Sequence, residues 1–235
     1  MNTSNMNPKR PIAFPIISMI ICALNEELNL PYVLPKIPEW VDEILLVDGH
    51  SVDKTIEVAK QICPRIKILN QIGKGKGDAL KYGVREANGE IIVTIDADGQ
   101  TNPQDIVEFI TPLLHGYDLA KGTRLYNGCP SKMIKYRWLG NKILSTTSNL
   151  LYNTKYTDIC SGYNAFWKVA FQSLNLTHDG FEMEQEMMVK AKKANLKVTE
   201  VNHCDAGRIN SNSKVSSIKQ GFIDWVLIIS YRFRN

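Results

Sequence analysis

The stretch Ile91-Ile-Val-Thr-Ile-Asp-Ala-Asp-Gly-Gln100 constrains this chain more than any other. A short run of high strand propensity leads into two aspartates spaced i, i+2, with Gly99 and Pro103 behind them. An apolar run of this length closed by turn residues reads as a strand buried on both faces, as in a parallel sheet. Asp96 and Asp98 then stand where the strand gives way to its loop, and in open α/β sheets that carboxyl edge is where ligands bind. Two carboxylates one residue apart can share a hard divalent cation, which in turn holds a diphosphate. The same pair would serve equally to cap a helix starting near Pro103, so the neighbouring loops have to decide between the two.

Those loops follow from the alternation of the chain. Apolar runs predict strands at 16–23, 43–47, 66–69, 91–95 and 119–122, with further strands at 163–167 and 197–201. Between them lie helical segments: a polar, helix-prone stretch from Leu24, then 54–62 with Asp53 as N-cap, 77–87, and a helix striped by Ile106, Ile110 and Leu113. Repeated β-α units of this length mean an α/β fold, a mainly parallel sheet with helices on both faces. Asn25 and Glu26, then Asp48, then the aspartate pair would all fall at one edge of that sheet. Gly73-Lys-Gly-Lys-Gly77 lies between them, directly before a helix. Its glycines allow close backbone approach and the helix start offers N–H groups to an anion, with Lys74 and Lys76 adding charge. It is neither a Walker loop nor a dinucleotide fingerprint, and a basic turn before a helix would look the same.

A chain of 235 residues forms one large or two small domains. The net charge of +4 suits anionic ligands or an anionic membrane surface and makes no case for nucleic acid. Five scattered cysteines without a Cys-x-x-Cys predict neither a disulfide framework nor a zinc site, and point to a reducing compartment, hence the cytoplasm. Residues 1–12 are polar, asparagine-rich and unlike a secretion signal, and are expected to be a disordered lead to a domain spanning 13–214. No apolar run approaches a membrane span. The tail, 215–235, is apolar, aromatic and basic. It suits an amphipathic helix that packs on the domain, lies in a membrane interface or joins two copies.

Ala23-Leu-Asn-Glu-Glu27, Leu46-Val-Asp-Gly-His-Ser-Val-Asp-Lys-Thr55, Gly73-Lys-Gly-Lys-Gly77 and Asp96-Ala-Asp98, in that order, resemble the motifs of family 2 glycosyltransferases of GT-A fold. The nearest resemblance is to the dolichyl- or polyprenyl-phosphate sugar transferases and their bacterial relatives, and it spans about 16–214. It implies a UDP- or GDP-linked sugar donor, Mg2+ or Mn2+, inversion at the sugar carbon, and an acceptor that is a hydroxyl or a lipid-linked phosphate at the cytoplasmic face of a membrane. By this resemblance Asp48 binds base or ribose with Leu24, Asn25 and Glu26 around it. Lys74, Gly75, Lys76 and Ala97 border the donor. Asp96 faces ribose or metal, Asp98 the metal, and Gln100 joins the metal shell. The second motif departs from the family pattern in reading Asp-Gly-His-Ser-Val-Asp where Asp-(Asp/Gly)-Ser-Ser-Asp-Gly is common.

The second half is less regular. Gly122-Thr-Arg124 resembles the family's Gly-Ser-Arg, and such an arginine could clamp phosphate. Asp158-Ile-Cys-Ser-Gly-Tyr163 resembles the segment that lines the acceptor pocket, through Asp158, Ser161, Gly162 and Tyr163. Arg208 and Ser213-Lys214 resemble a loop that closes on the donor phosphates, here longer and with Asn212 where glycine is usual. A mostly helical 132–152 carries Arg137, which faces either solvent or an anionic acceptor. A helical wheel over 182–194 places Glu184 in the arc of Met183, Met187, Ala191 and Ala194, with Glu182 and Glu186 opposite beside Lys190 and Lys193. A carboxylate on the buried side is costly unless partnered or working. Glu184 is therefore the candidate base, Glu182 the second choice; toward a phosphate acceptor no base is needed and Glu184 would orient. His203 reads as a packed strand end. A nucleotidyltransferase and a non-catalytic membrane-associated binding module are the competing readings. The acidic loop after the first strand counts against the former, and the aspartate pair with Glu184 against the latter.

Overall fold

The computed structural model describes residues 14–125, 133–207, 209–210 and 217–233. Arg208, Lys214, Cys129 and the 1–12 lead lie outside the described residues.

Seven strands form one sheet in the order β3-β2-β1-β4-β6-β5-β7. They are β1 Ile17–Ala23, β2 Glu43–Asp48, β3 Lys67–Asn70, β4 Ile91–Asp96, β5 Leu119–Thr123, β6 Asn164–Trp167 and β7 Val198–Asn202. β6 runs antiparallel to both β4 and β5, and every other pair is parallel. The helices are a single turn α1 Leu30–Val33, then α2 Thr55–Ile62, α3 Lys76–Glu86, α4 Ile106–Leu114, α5 Lys135–Tyr152, α6 Lys168–Ser173, α7 Met183–Lys193 and α8 Ser217–Phe233.

Period-two alternation in β1 builds both faces of the core. Ile17, Met19 and Ile21 join the layer under α1, α2 and α4, whereas Ile20 joins the layer under α3 and α7. A third cluster joins Leu144 of α5, Ile159, Val189 of α7, and Leu227, Ile228 and Tyr231 of α8. The C-terminal helix therefore packs on the body. The helix-prone stretch after β1 is mostly bend and turn, with α-helix from Leu30 to Val33 and a 3-10 turn over Leu34–Lys36. α2 begins at Thr55, and the Asp53 carboxylate accepts from Thr55 N (3.0 Å), a cap one residue further out than expected.

Candidate active site

Parallel register decides what meets at the sheet edge. Ala23 pairs with Asp48 and Cys22 with Asp96, so β1, β2 and β4 end level and their loops share one rim. Asp48 is buried. One of its oxygens accepts from Ser51 N (3.0 Å). The other, Oδ1, is buried with no hydrogen-bond partner among the described residues, a vacant acceptor at the place expected to read a base or ribose. Asn25 adopts φ 51°, which asparagine tolerates, and its side chain accepts from Val52 N (2.8 Å). Glu26 is buried, receives Asn29 Nδ2 on its carboxylate (2.6 Å) and sends its N–H to Thr55 Oγ1. These side chains brace the β1 and β2 loops against each other, beside an exposed Leu24. Asn210 then bonds Asn29 in both directions (2.9 and 3.0 Å), so the chain around 209–210 folds back over the β1 loop. A Cβ on Gly99 would meet Ile209.

The glycine-rich loop is built differently from an open anion cradle. A Cβ on Gly75 (φ +95°) would run into the Asp179 carbonyl, and one on Gly77 into the His178 carbonyl. Asp78 N already donates to Asp179 O (3.1 Å) and Gly73 N to the Asp78 carboxylate (3.1 Å). The glycines admit the 178–180 backbone, and of the N–H groups expected to be free at this helix start that of Asp78 is already taken. Lys74 is exposed. Lys76 turns inward, its ammonium 2.6 Å from Asp96 Oδ1 and 2.7 Å from Glu184 Oε1. Burial alone would favour losing that proton, but Asp96 and Glu184 outweigh it and hold the ammonium charged well above the usual lysine range. A Cβ on Gly162 would meet Asp96 Oδ2 and, at 2.6 Å, Lys76 Nζ, so glycine there lets the loop at 158–162 lie directly on this pair.

Asp98 is buried and takes Gln100 N on Oδ1 (3.1 Å). Gln100 Nε2 donates to buried Asp205 (3.1 Å), which turns its amide oxygen away from that carboxylate. No group of three or more His, Cys, Asp or Glu among the described residues would hold a metal by itself. Asp96, Asp98 and the Gln100 oxygen are nevertheless hard donors of the type Mg2+ and Mn2+ take when a bound phosphate supplies the remaining ligands. The residues fit such an ion as part of a donor complex.

At the loop that precedes β6, Arg124 and Asp158 face each other. Arg124 Nε lies 2.7 Å and Nη2 3.1 Å from the Asp158 carboxylate, which also accepts from Asn141 Nδ2 (2.7 Å) and Cys160 N (2.9 Å). Asp158 is fully buried. The expectation that it lines a pocket is therefore corrected: its carboxylate is consumed in holding Arg124. Tyr163 is also corrected to a core residue, fully buried with its ring stacked on Phe109 (3.8 Å between centroids) and edge-on to His203. Ser161 is buried against His203 Nε2 (2.9 Å). Burial, helped by Arg124, lowers the His203 pKa to about 4, so the ring is neutral and packed. Arg137 donates to Ser217 Oγ (2.8 Å) and ties α5 to α8.

Lys121 was missed. It is fully buried in β5 and its ammonium donates to the Ser161 carbonyl. Burial lowers its pKa, opposed by Glu184 and Asp158. The signal was strand parity, which puts Lys121 on the face of Leu119 and Thr123. The wheel for α7 also needs correction. Glu186 is fully buried, receiving Lys190 (2.8 Å), Tyr231 OH (2.7 Å) and the N–H groups of Thr177 (3.0 Å) and His178 (2.9 Å). Although burial opposes ionisation, these donors hold its carboxyl well below the usual range. The face opposite the apolar arc is met by Tyr231 of α8. Facing Glu182 and Glu184 from α8, buried Asp224 is bonded by Gln220 (2.8 Å), which also reaches Glu182 (3.2 Å). Burial pushes the Cys22 and Cys160 thiols up to about 12, which makes them poor nucleophiles. Cys22, Cys63 and Cys160 are free, but Cys204 is disulfide-bonded, contrary to the expectation of reduced cysteines throughout.

Residues 18–174 match the family model described as Glycosyl transferase family 2. Glycosyltransferase AglJ of Haloferax volcanii is 31% identical over 77% of this chain, which spans only 61% of that protein's length. The UDP-N-acetylglucosamine–dolichyl-phosphate N-acetylglucosaminyltransferase of Methanococcus voltae is 31% identical over 79% of this chain and 84% of its own. Among solved structures, glucosyl-3-phosphoglycerate synthase from Mycobacterium tuberculosis, in complex with Mn2+, UDP and phosphoglyceric acid, superposes with a TM-score of 0.72. It is 22% identical and covers 94% of this chain and 79% of its own. That likeness establishes the GT-A fold.

Proposed function

Because the chain belongs to glycosyl transferase family 2, we propose that it moves a sugar, with inversion, from a nucleoside-diphosphate donor to a polyprenyl-phosphate or hydroxyl acceptor. The observation that carries this reading is the Lys76 bridge. One ammonium links Asp96, at the tip of the central strand, to Glu184 on the helix opposite, so a donor edge and an acceptor-side carboxylate lie within a single side chain's reach.

The acceptor oxygen attacks the anomeric carbon from the face opposite the diphosphate. The new carbon–oxygen bond forms as the bond to the diphosphate breaks, and the nucleoside diphosphate leaves with that electron pair. A hydroxyl acceptor gives its proton to Glu184; a phosphate acceptor is already an anion, and Glu184 with Lys76 then serves to position it. Asp48 Oδ1 accepts a hydrogen bond from the nucleoside. Arg124, fixed by Asp158, keeps a positive charge beside the acceptor loop. Mg2+ or Mn2+ held by Asp96, Asp98 and the Gln100 oxygen would neutralise charge on the departing diphosphate. Arg208 and Lys214 are the further cations proposed for that task. The names of the Haloferax and Methanococcus relatives support the sugar-transfer chemistry, and the second supports a UDP-linked donor and a dolichyl-phosphate acceptor.

The test is nucleoside-diphosphate release from a panel of UDP- and GDP-sugars with Mn2+, with and without a short polyprenyl phosphate. Release with one base, abolished by EDTA and lowered at least about 100-fold by Asp98→Asn, is expected. Unchanged turnover in Asp98→Asn would overturn the reading, as would release of pyrophosphate from a nucleoside triphosphate.

A further inference from the structure

We infer that α5 and α8 together form a platform that docks on an anionic lipid bilayer. The two helices lie side by side in parallel: Arg137 bonds Ser217 near their starts, Trp225 Nε1 reaches Thr147 Oγ1 (3.3 Å) midway, and Tyr152 OH bonds the Ile228 carbonyl (2.6 Å) near their ends. Their inner faces, with Leu144, Leu227, Ile228 and Tyr231, fill the third core cluster. Their outer faces are also apolar. Ile218 (82%), Phe222 (65%) and Phe233 (81%) stand exposed on α8, and Leu139 (54%), Ile143 (51%) and Leu150 (81%) on α5. A folded domain rarely leaves so large an apolar surface without a use for it.

Charge identifies what covers it. Residues 133–157 contain no Asp or Glu, and residues 217–233 contain only Asp224, which is buried and turned inward. Lys135, Lys142, Lys219 and Arg232 are exposed on the same two helices. The outward surface is thus apolar and aromatic with cations and no anion, which complements acidic headgroups over an acyl layer. A second copy of the chain is the poorer occupant, because apposing this face with itself would bring like charges together. Among the described residues no helix is long and apolar enough to cross a membrane, so the platform lies on the bilayer.

The docking also has a geometric consequence. The inner side of α8 meets α7 through Gln220, which bonds both Asp224 and Glu182. A helix is about 10 Å across. The carboxylates of α7 therefore sit roughly one helix thickness above the headgroup plane, within reach of a phosphate borne on a lipid.

Co-sedimentation with vesicles tests this without any sugar, so its failure is separate from failure of the transfer reading. Phosphatidylcholine vesicles with about 30 mol% phosphatidylglycerol should bind at least about tenfold more tightly than phosphatidylcholine alone. Raising salt from about 0.1 M to 0.5 M should weaken that binding. Phe222→Asp with Val226→Asp should abolish it while leaving the circular dichroism spectrum intact, and Lys219→Glu with Arg232→Glu should remove the preference for anionic lipid. Equal binding to neutral and anionic vesicles, or undiminished binding by the Phe222→Asp, Val226→Asp protein, would overturn the inference. So would a dimer in light scattering that those substitutions dissociate.

Discussion

Replacing Asp158 by asparagine asks whether the loop at 158–162 is organised around one buried charge. The carboxylate receives Arg124 Nε (2.7 Å), Arg124 Nη2 (3.1 Å), Arg124 N (3.2 Å), Asn141 Nδ2 (2.7 Å) and Cys160 N (2.9 Å), and the residue is fully buried. Asparagine keeps the volume, cancels the charge and turns one acceptor into a donor facing other N–H groups. Stranding one partner of a buried pair costs roughly 3–5 kcal/mol. The Arg124 side chain is 18% exposed, so water offsets part of this and a loss near 3 kcal/mol is expected. With a urea m-value of about 2 kcal/mol/M, the unfolding midpoint should fall by roughly 1.5 M. Arg124→Gln in the same chain should recover at least about 1 kcal/mol relative to the sum of the single losses.

The pH dependence has a definite sign. Burial alone would raise the Asp158 pKa, but Arg124 outweighs it and holds the carboxyl well below the usual carboxylate range. A depressed carboxyl contributes stability that is present above the unfolded value of about 3.9 and lost as pH falls through the folded one. The gap between parent and Asp158→Asn measured at pH 7 should therefore narrow below about pH 4. A midpoint shift under about 0.5 M, additive single and double losses, or a gap independent of pH would each refute the reasoning.

Three further outcomes follow from neighbouring groups. Gly162→Ala pushes a methyl against the side-chain ends of Asp96 and Lys76, not against backbone, so donor turnover should fall at least about tenfold while the melting temperature shifts by less than about 4 °C. Lys76→Met removes the bridge between Asp96 and Glu184 and should lower kcat/KM by about 100-fold, read by nucleoside-diphosphate release. Asp224→Asn acts through a carboxyl that burial pushes up to about 7, against the Gln220 hydrogen bond and with help from Glu184. A raised carboxyl destabilises the fold progressively as pH climbs from the ordinary range to that value, so thermal melts should show the variant more stable by about 1–3 kcal/mol at pH 8 and unchanged near pH 4.

What the sequence discloses about this chain is local, and what it withholds is assembled from a distance. Asp48 and Asp96 were legible because a buried parallel strand announces itself as an apolar run, and register then forces such strands to end level. Glu184 was legible because three turns of helix suffice to show a carboxylate among methionines. The same wheel misplaced Glu186, since nothing within 182–194 reveals that Tyr231 of α8 will cover it. The Asp158–Arg124 pair joins residues 34 apart with α5 between them, and no period connects them. Lys121 is the intermediate case: parity puts it on one face of β5, but with all five residues of that strand buried there is no alternation to mark the lysine as unusual. The misses at Glu186, Asp158 and Lys121 concern charge, and this has a physical reason. Apolar residues need only some partner of roughly suitable volume, whereas a buried ion needs particular ones. Lys76 and Arg124 are held charged in the interior because β4, the loop at 158–162 and α7 bring Asp96, Asp158 and Glu184 to them, and at Lys121 Glu184 and Asp158 oppose the loss of the proton that burial favours. The loop at 158–162 with its buried ion pairs is therefore the part of this fold where one substitution should alter both stability and chemistry, while the rim at β1 and β2, braced by neutral as well as charged side-chain bonds between loops, should keep the two separable.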